Sequence, residues 1–113
     1  MMEQTEKIFK IFADKNRIRI LKLLEQRKMC VCELAFILKV TQPSISRHLK
    51  KMKKAGLVSD ERDKFWTNYY LVKDSAHGKA LMNCLKKWLV KDTTVQSDLA
   101  RMKIVNRTRL CCQ

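Results

Sequence analysis

Two cysteines one residue apart, Cys30 and Cys32, stand just ahead of the segment Thr41-Gln42-Pro43-Ser44-Ile45-Ser46-Arg47-His48-Leu49. Thiolates at that spacing are soft donors suited to thiophilic ions, and the second segment carries side-chain types that base edges accept. Gln can hold adenine and Arg guanine through paired hydrogen bonds, while Ser and His are less selective. On an α-helix, residues two apart point about 200° away from each other, so an undisturbed helix cannot present both sulfurs to one ion. Capture by Cys30 and Cys32 together is therefore expected to open the start of the helix carrying them and to disturb the helix that follows. Placement near a helix N-terminus in a very basic chain favours the thiolate form of both. By residue type alone, the plain alternative is a pair of small buried hydrophobes.

Helices must hold these groups, and the apolar periodicity predicts them. After Thr5, a short stripe of Ile8, Phe9, Ile11 and Phe12 is followed by Asp14, an N-cap for a second helix through Ile18, Leu21 and Leu24, broadened by Ile20 and Leu23. Polarity at Gln26-Arg27-Lys28 ends that pattern, and a short third helix turns Leu34, Ala35 and Leu38 inward before a turn at Lys39-Val40. Thr41 caps a fourth helix, and Pro43 fits its first turn, where an N–H is not needed. Ile45, Leu49 and Met52 form its packing face, whereas Ser44, Arg47, His48 and Lys51 form a polar face at the same period. Gly56 provides the stop, with Leu57 folding back. Two β-forming runs, roughly Leu57 to Glu61 and Phe65 to Val72, predict a hairpin joined by Arg62-Asp63-Lys64. Asp74 or Ser75 then caps a long helix whose stripe of Leu81, Cys84, Leu85, Trp88 and Leu89 is too apolar to stay exposed, which predicts a partner subunit. Thr93 or Thr94 restarts helix through Val95, Leu99 and Met102. The expectation is a mainly α fold with a small β-hairpin over residues 1–105, and a basic, cysteine-containing tail over 106–113.

At 113 residues the chain suits one compact domain and is too short for two independent cores. Lys and Arg number 25 against 11 Asp and Glu, a formal charge of +14, which is the footprint of phosphate neutralisation; an acidic membrane surface is the competing partner. No stretch approaches the ~20 apolar residues of a membrane span, and Met1 to Lys7 has no signal-like apolar core, so a cytoplasmic protein without a membrane partner is expected. Five cysteines, an odd number, argue for free thiols or ligands in a reducing compartment. No nucleophile–base pair, paired carboxylate or glycine-rich phosphate loop is present, so no enzyme activity is expected.

Taken in order, Ala13-Asp14 with Arg17-Ile18-Arg19-Ile20-Leu21, Cys30-Val31-Cys32-Glu33-Leu34, Gln42-Pro43-Ser44-Ile45-Ser46-Arg47-His48-Leu49, Ala55-Gly56-Leu57-Val58, and Trp66 with Tyr69 resemble the ArsR/SmtB family of metal-sensing winged-helix repressors. The resemblance spans about residues 5–90. It implies a winged helix-turn-helix whose terminal helices build a homodimer, which holds palindromic double-stranded operator DNA and releases it when metal or metalloid binds. The Cys-Val-Cys pair resembles the arsenic- and antimony-sensing branch in particular. There a third cysteine often follows three residues after the second. Here that position is Ala35, which leaves Cys111 and Cys112 as the reserve. Cadmium and lead sensors use a similar pair with further cysteines near the amino terminus, and this chain has none there. A zinc branch uses Asp and His along the last long helix, where His77 lacks a His partner.

The resemblance thus implies that Cys30 and Cys32, with Cys111 or Cys112, take trivalent arsenic or antimony in a three-thiolate pyramid; cadmium, lead or zinc are the alternatives. For DNA, Gln42, Ser44, Ser46, Arg47 and His48 are the candidate base contacts, Ser46 through the family pattern. Lys50, Lys51, Lys53 and Lys54, with Arg62 and Lys64 at the wing tip, are expected to meet phosphates. Trp66 and Tyr69 are expected in wing packing, Cys84 in the core and His77 on the surface. Two rival functions remain: a repressor whose vicinal thiols sense oxidants, and an architectural nucleic-acid binder with incidental cysteines.

Overall fold

The computed structural model describes residues 1–105, in the order α1 (Met2–Phe12), α2 (Lys15–Gln26), α3 (Val31–Leu38), α4 (Gln42–Lys54), β1 (Val58–Asp63), β2 (Trp66–Leu71), α5 (Ala76–Trp88) and α6 (Thr93–Ile104). Most boundaries fall where the capping chemistry puts them. Asp14 accepts the Arg17 N–H at 3.1 Å to start α2, and Thr41 accepts the Ser44 N–H at 3.4 Å to start α4. The end of α4 closes through Gly56 at φ 78°, with the Gly56 N–H on the Lys53 carbonyl and the Leu57 N–H on that of Met52, both at 3.0 Å. Of the two caps considered for α5, Ser75 makes the bond, accepting the Gly78 N–H at 3.1 Å. At α6 the cap is neither Thr93 nor Thr94 but Asp92, which accepts the Val95 N–H at 2.9 Å. A carboxylate both satisfies the free N–H and complements the helix dipole.

The strands β1 and β2 form an antiparallel hairpin that closes on the pair Asp63↔Trp66. Arg62 and Asp63 therefore belong to β1, and the turn is Lys64-Phe65 instead of the expected three-residue link; Lys64 takes φ 55° to make it tight. On the far edge of β2, Met29 forms a bridge in which Tyr69 N–H meets Met29 O at 2.8 Å and Met29 N–H meets Tyr69 O at 3.1 Å. The strand segment leading into α3 is thus stitched to the wing.

A single core gathers Ile8 and Ile11 of α1, Ile20, Leu21, Leu23 and Leu24 of α2, Leu34, Ile37 and Leu38 of α3, and Ile45, Leu49 and Met52 of α4, with Met29, Leu57 and Val58 below the wing. The last helix docks by charge. Asp98, only 2% exposed, accepts Arg19 Nε at 2.8 Å and Nη2 at 2.9 Å, and Arg101 donates to the Ile37 carbonyl at 2.9 Å. The hydrogen bonds it donates to Asp98 hold the Arg19 guanidinium above the usual arginine range. Among the described residues no helix is long and apolar enough to cross a membrane.

Candidate nucleic-acid interface and adjoining thiols

The helix pair α3–α4 presents α4 to solvent along one side. Ile45 and Leu49 are buried on its inner face, while Gln42, Ser46, Arg47, Lys50 and Lys51 are exposed and have no side-chain partner among the described residues. Ser44 is half-buried beside the cap. His48 is also half-buried: its Nδ1 lies 3.5 Å from Arg17 Nη1. Burial pushes the His48 pKa below its usual value, and Arg17, Lys51 and Arg47 push the same way against Asp14. Arg17 itself is fixed in place, donating to the Ile11 carbonyl at 3.1 Å and that of Lys10 at 3.2 Å.

The lysine run after His48 divides. Lys53 is tied to Asp60 of β1 at 3.1 Å, bracing the wing against α4, while Lys50, Lys51 and Lys54 stay free of carboxylates among the described residues. Arg62 and Lys64 are exposed at the wing tip, on the same hairpin that Lys53 braces. Trp66 is half-buried with Phe65 packed edge-on at 6.3 Å, and Tyr69 is half-buried beside the Met29 bridge, so both serve the wing's own packing. Burial raises the Tyr69 pKa.

The thiols depart from expectation. Helix α3 begins at Val31, and Cys30 is its N-cap, in extended backbone at φ −91° and ψ 169°. Only Cys32 has helical backbone, which corrects the picture of two sulfurs opposed around one helix. Sequence reasoning also missed Glu33. Its carboxylate accepts the Cys30 N–H at 3.1 Å to complete a capping box, and its other oxygen takes Arg27 at 3.0 Å. The signal was available, since a Glu three residues after a cap position marks a helix start, but a cysteine is not among the usual capping residues. Cys30 is only 4% exposed, whereas Cys32 is half-buried. Among the described residues no cluster of three or more His, Cys, Asp and Glu is arranged to hold a metal. Cys111 and Cys112 lie outside the described residues. Cys84, expected in the core, is only partly buried on α5, and His77 is exposed.

Comparison with known proteins places this geometry. Residues 14–60 match the model of the family described as "Bacterial regulatory protein, arsR family". An uncharacterized HTH-type transcriptional regulator of Methanocaldococcus jannaschii is 48% identical over 73 residues, covering 64% of this chain and 82% of that one. An arsenic resistance transcriptional regulator of Pseudomonas putida is 35% identical over 91 residues, covering 75% of this chain and 71% of its own. Among solved structures, HlyU from Vibrio cholerae N16961 superimposes with a TM-score of 0.71 at 26% identity, covering 80% of this chain and 96% of that one. A winged helix-turn-helix with an exposed polar face on α4, matched in sequence through the whole of α2–α4, leaves one assignment: the chain belongs to the ArsR family of bacterial transcriptional regulators.

Proposed function

We propose that two copies of this chain bind double-stranded operator DNA through α4 and the wing, and let go when Cys30 and Cys32, with a thiol of Cys111 or Cys112, take up trivalent arsenic or antimony. Gln42, Ser44, Ser46, Arg47 and His48 would read base edges, and Lys51, Arg62 and Lys64 would hold phosphates. Two-fold symmetry would set the two α4 helices in successive major grooves about one helical turn apart. The apolar surface between α1 and α5 favours pairing: Phe9 is 59% and Trp88 74% exposed beside a 640 Å³ cavity. Because α6 is spent on its own chain through Asp98, a partner's α1 and α5 are the natural cover.

One observation carries the switch. Cys30 occupies the single residue between the Met29–Tyr69 bridge and the start of α3, so it adjoins both the wing and the helix that packs on α4. A buried N-cap thiol cannot meet a ligand shared with Cys32 unless that corner opens. Opening releases the Glu33 box, at about 1 kcal/mol, and loosens the Met29 bridge that steadies the wing. Thiophilic As(III) favours three sulfurs and would repay that cost, and the arsenic resistance relative supports the choice of ion.

The test is a titration of reduced protein bound to a fluorescent duplex carrying its own promoter, with arsenite, antimonite, cadmium and peroxide in parallel. Release by arsenite and antimonite is expected. Release by cadmium alone would make this a sensor of another ion, release by peroxide alone a thiol redox sensor, and no release at all an architectural binder.

A further inference from the structure

Beside the reading face of α4, and sharing Lys51 with it, a second basic surface runs back to α1. A 500 Å³ cavity is walled by Lys7 and Lys10 of α1, Arg17 of α2, and Lys51 and Lys54 of α4. Asp14 is the one carboxylate on its lining, and it is already engaged as the cap of α2. Three lysines outside the groove are paired, Lys22 with Glu25 at 2.8 Å, Lys28 with Glu61, and Lys53 with Asp60. Here Lys7, Lys51 and Lys54 have no carboxylate among the described residues, and Lys10 reaches Glu6 only at 3.9 Å. Like charges gathered on a concave wall repel one another and focus a positive field, an arrangement that a polyanion relieves.

Helix α1 divides its residues accordingly. Ile8 and Ile11 enter the core, Phe9 and Phe12 line the cavity shared with α5, and Lys7 and Lys10 line this one. The basic surface is thus clear of the apolar face offered to a second subunit. It is continuous with the reading face, because Lys51 belongs to both.

We propose that the groove between α1 and α4 seats the phosphodiester backbone of the same duplex, beside the stretch that α4 reads, and that Lys7 and Lys10 of α1 join Lys54, already expected on phosphate, as phosphate-binding residues. This deepens the DNA-binding function above and rests on it. Backbone contacts carry no sequence information, so a 30-bp duplex of arbitrary sequence is a sufficient probe. Each neutralised phosphate contributes about 0.9 to the slope of log affinity against log salt. The triple variant Lys7→Gln, Lys10→Gln, Lys54→Gln should flatten that slope by about 2–3 units per chain. The triple Lys73→Gln, Lys91→Gln, Lys103→Gln, which removes equal charge from exposed positions outside α1, α4, α5 and the wing, should leave it nearly unchanged. Replacing Lys7, Lys10 and Lys54 by Arg should retain it, which shows that charge and not folding is at stake. Equal losses in both glutamine triples, or no loss in the first, overturn the groove while leaving DNA binding by α4 intact. Wild-type protein with no affinity for duplex DNA overturns both. Inorganic phosphate protecting Lys54 from acylation where the duplex does not would assign the groove to a free anion and overturn the proposal as well.

Discussion

Replacing Asp98 with alanine removes the one carboxylate through which α6 is held to the rest of the domain. The carboxylate is 2% exposed and accepts Arg19 at 2.8 and 2.9 Å, with Arg101 at 3.4 Å. In the variant, Arg19 keeps only the Asn16 oxygen at 3.2 Å and the Leu38 carbonyl at 3.4 Å, which leaves a partly buried guanidinium short of its anion. Deleting one partner of such a pair costs about 3–5 kcal/mol, and the contacts Arg19 retains argue for the lower end, about 3 kcal/mol. At about 4 °C per kcal/mol for a domain this size, the thermal midpoint should fall by about 12 °C. Urea and thermal unfolding at matched protein concentration provide the assay, since a dimer's midpoint depends on concentration. The double variant Arg19→Met, Asp98→Leu should recover most of the loss, because an apolar pair of similar volume tolerates this site where a lone charge does not. A loss below about 1 kcal/mol for Asp98→Ala would show that α6 is held by its apolar contacts alone and would refute the argument.

Three further expectations follow from the same geometry. Lys39 ends α3 in the left-handed region at φ 59°, so Lys39→Gly should raise stability by about 0.5–1 kcal/mol in urea titration, whereas Lys39→Ala should not. Burial and cationic neighbours hold the His48 pKa below 6.5, so the unfolded chain protonates first; stability is full above that value and declines as pH falls through the window beneath it. Duplex DNA favours the protonated ring, so affinity should rise over that same window in wild type and show no such rise in His48→Gln. Glu33→Ala deletes the acceptor for the Cys30 N–H, and loss of about 1 kcal/mol of capping should speed labelling of the Cys30 thiol about fivefold; an unchanged rate would mean the cap does not guard it.

Much of this architecture could be read from the residues because local and tertiary preferences agree. Asp14, Thr41, Pro43 and Gly56 each sit where their chemistry is needed, and the apolar period of α4 separates Ile45, Leu49 and Met52 from the polar side without ambiguity. Disagreements arose where two residues competed for one role. Asp92 outbids its threonine neighbours for the α6 cap because its carboxylate also answers the helix dipole. Arg62 and Asp63 look like turn residues by type, yet cross-strand pairing with Thr67 and Trp66 draws them into β1. The Met29 bridge and the basic groove beside α4 were invisible for another reason. Both join residues more than thirty positions apart, 29 with 69 and 7 with 54, and neither periodicity nor spacing carries such information. Cys30 shows the same limit: its neighbours in sequence suggested a helix, whereas the backbone there is extended because Cys30 is the N-cap of α3, one residue after the Met29 bridge to the wing.

The claim on which everything functional depends is that Cys30 and Cys32 convert ligand capture into loss of DNA. Operator affinity of the variant Cys30→Ser, Cys32→Ser, measured by anisotropy with and without arsenite beside the wild type, tests it directly. Wild-type affinity should drop about 100-fold, a coupling near 3 kcal/mol, while the variant stays within about twofold of its arsenite-free value. Release of the variant by arsenite to the same extent as wild type would contradict the account.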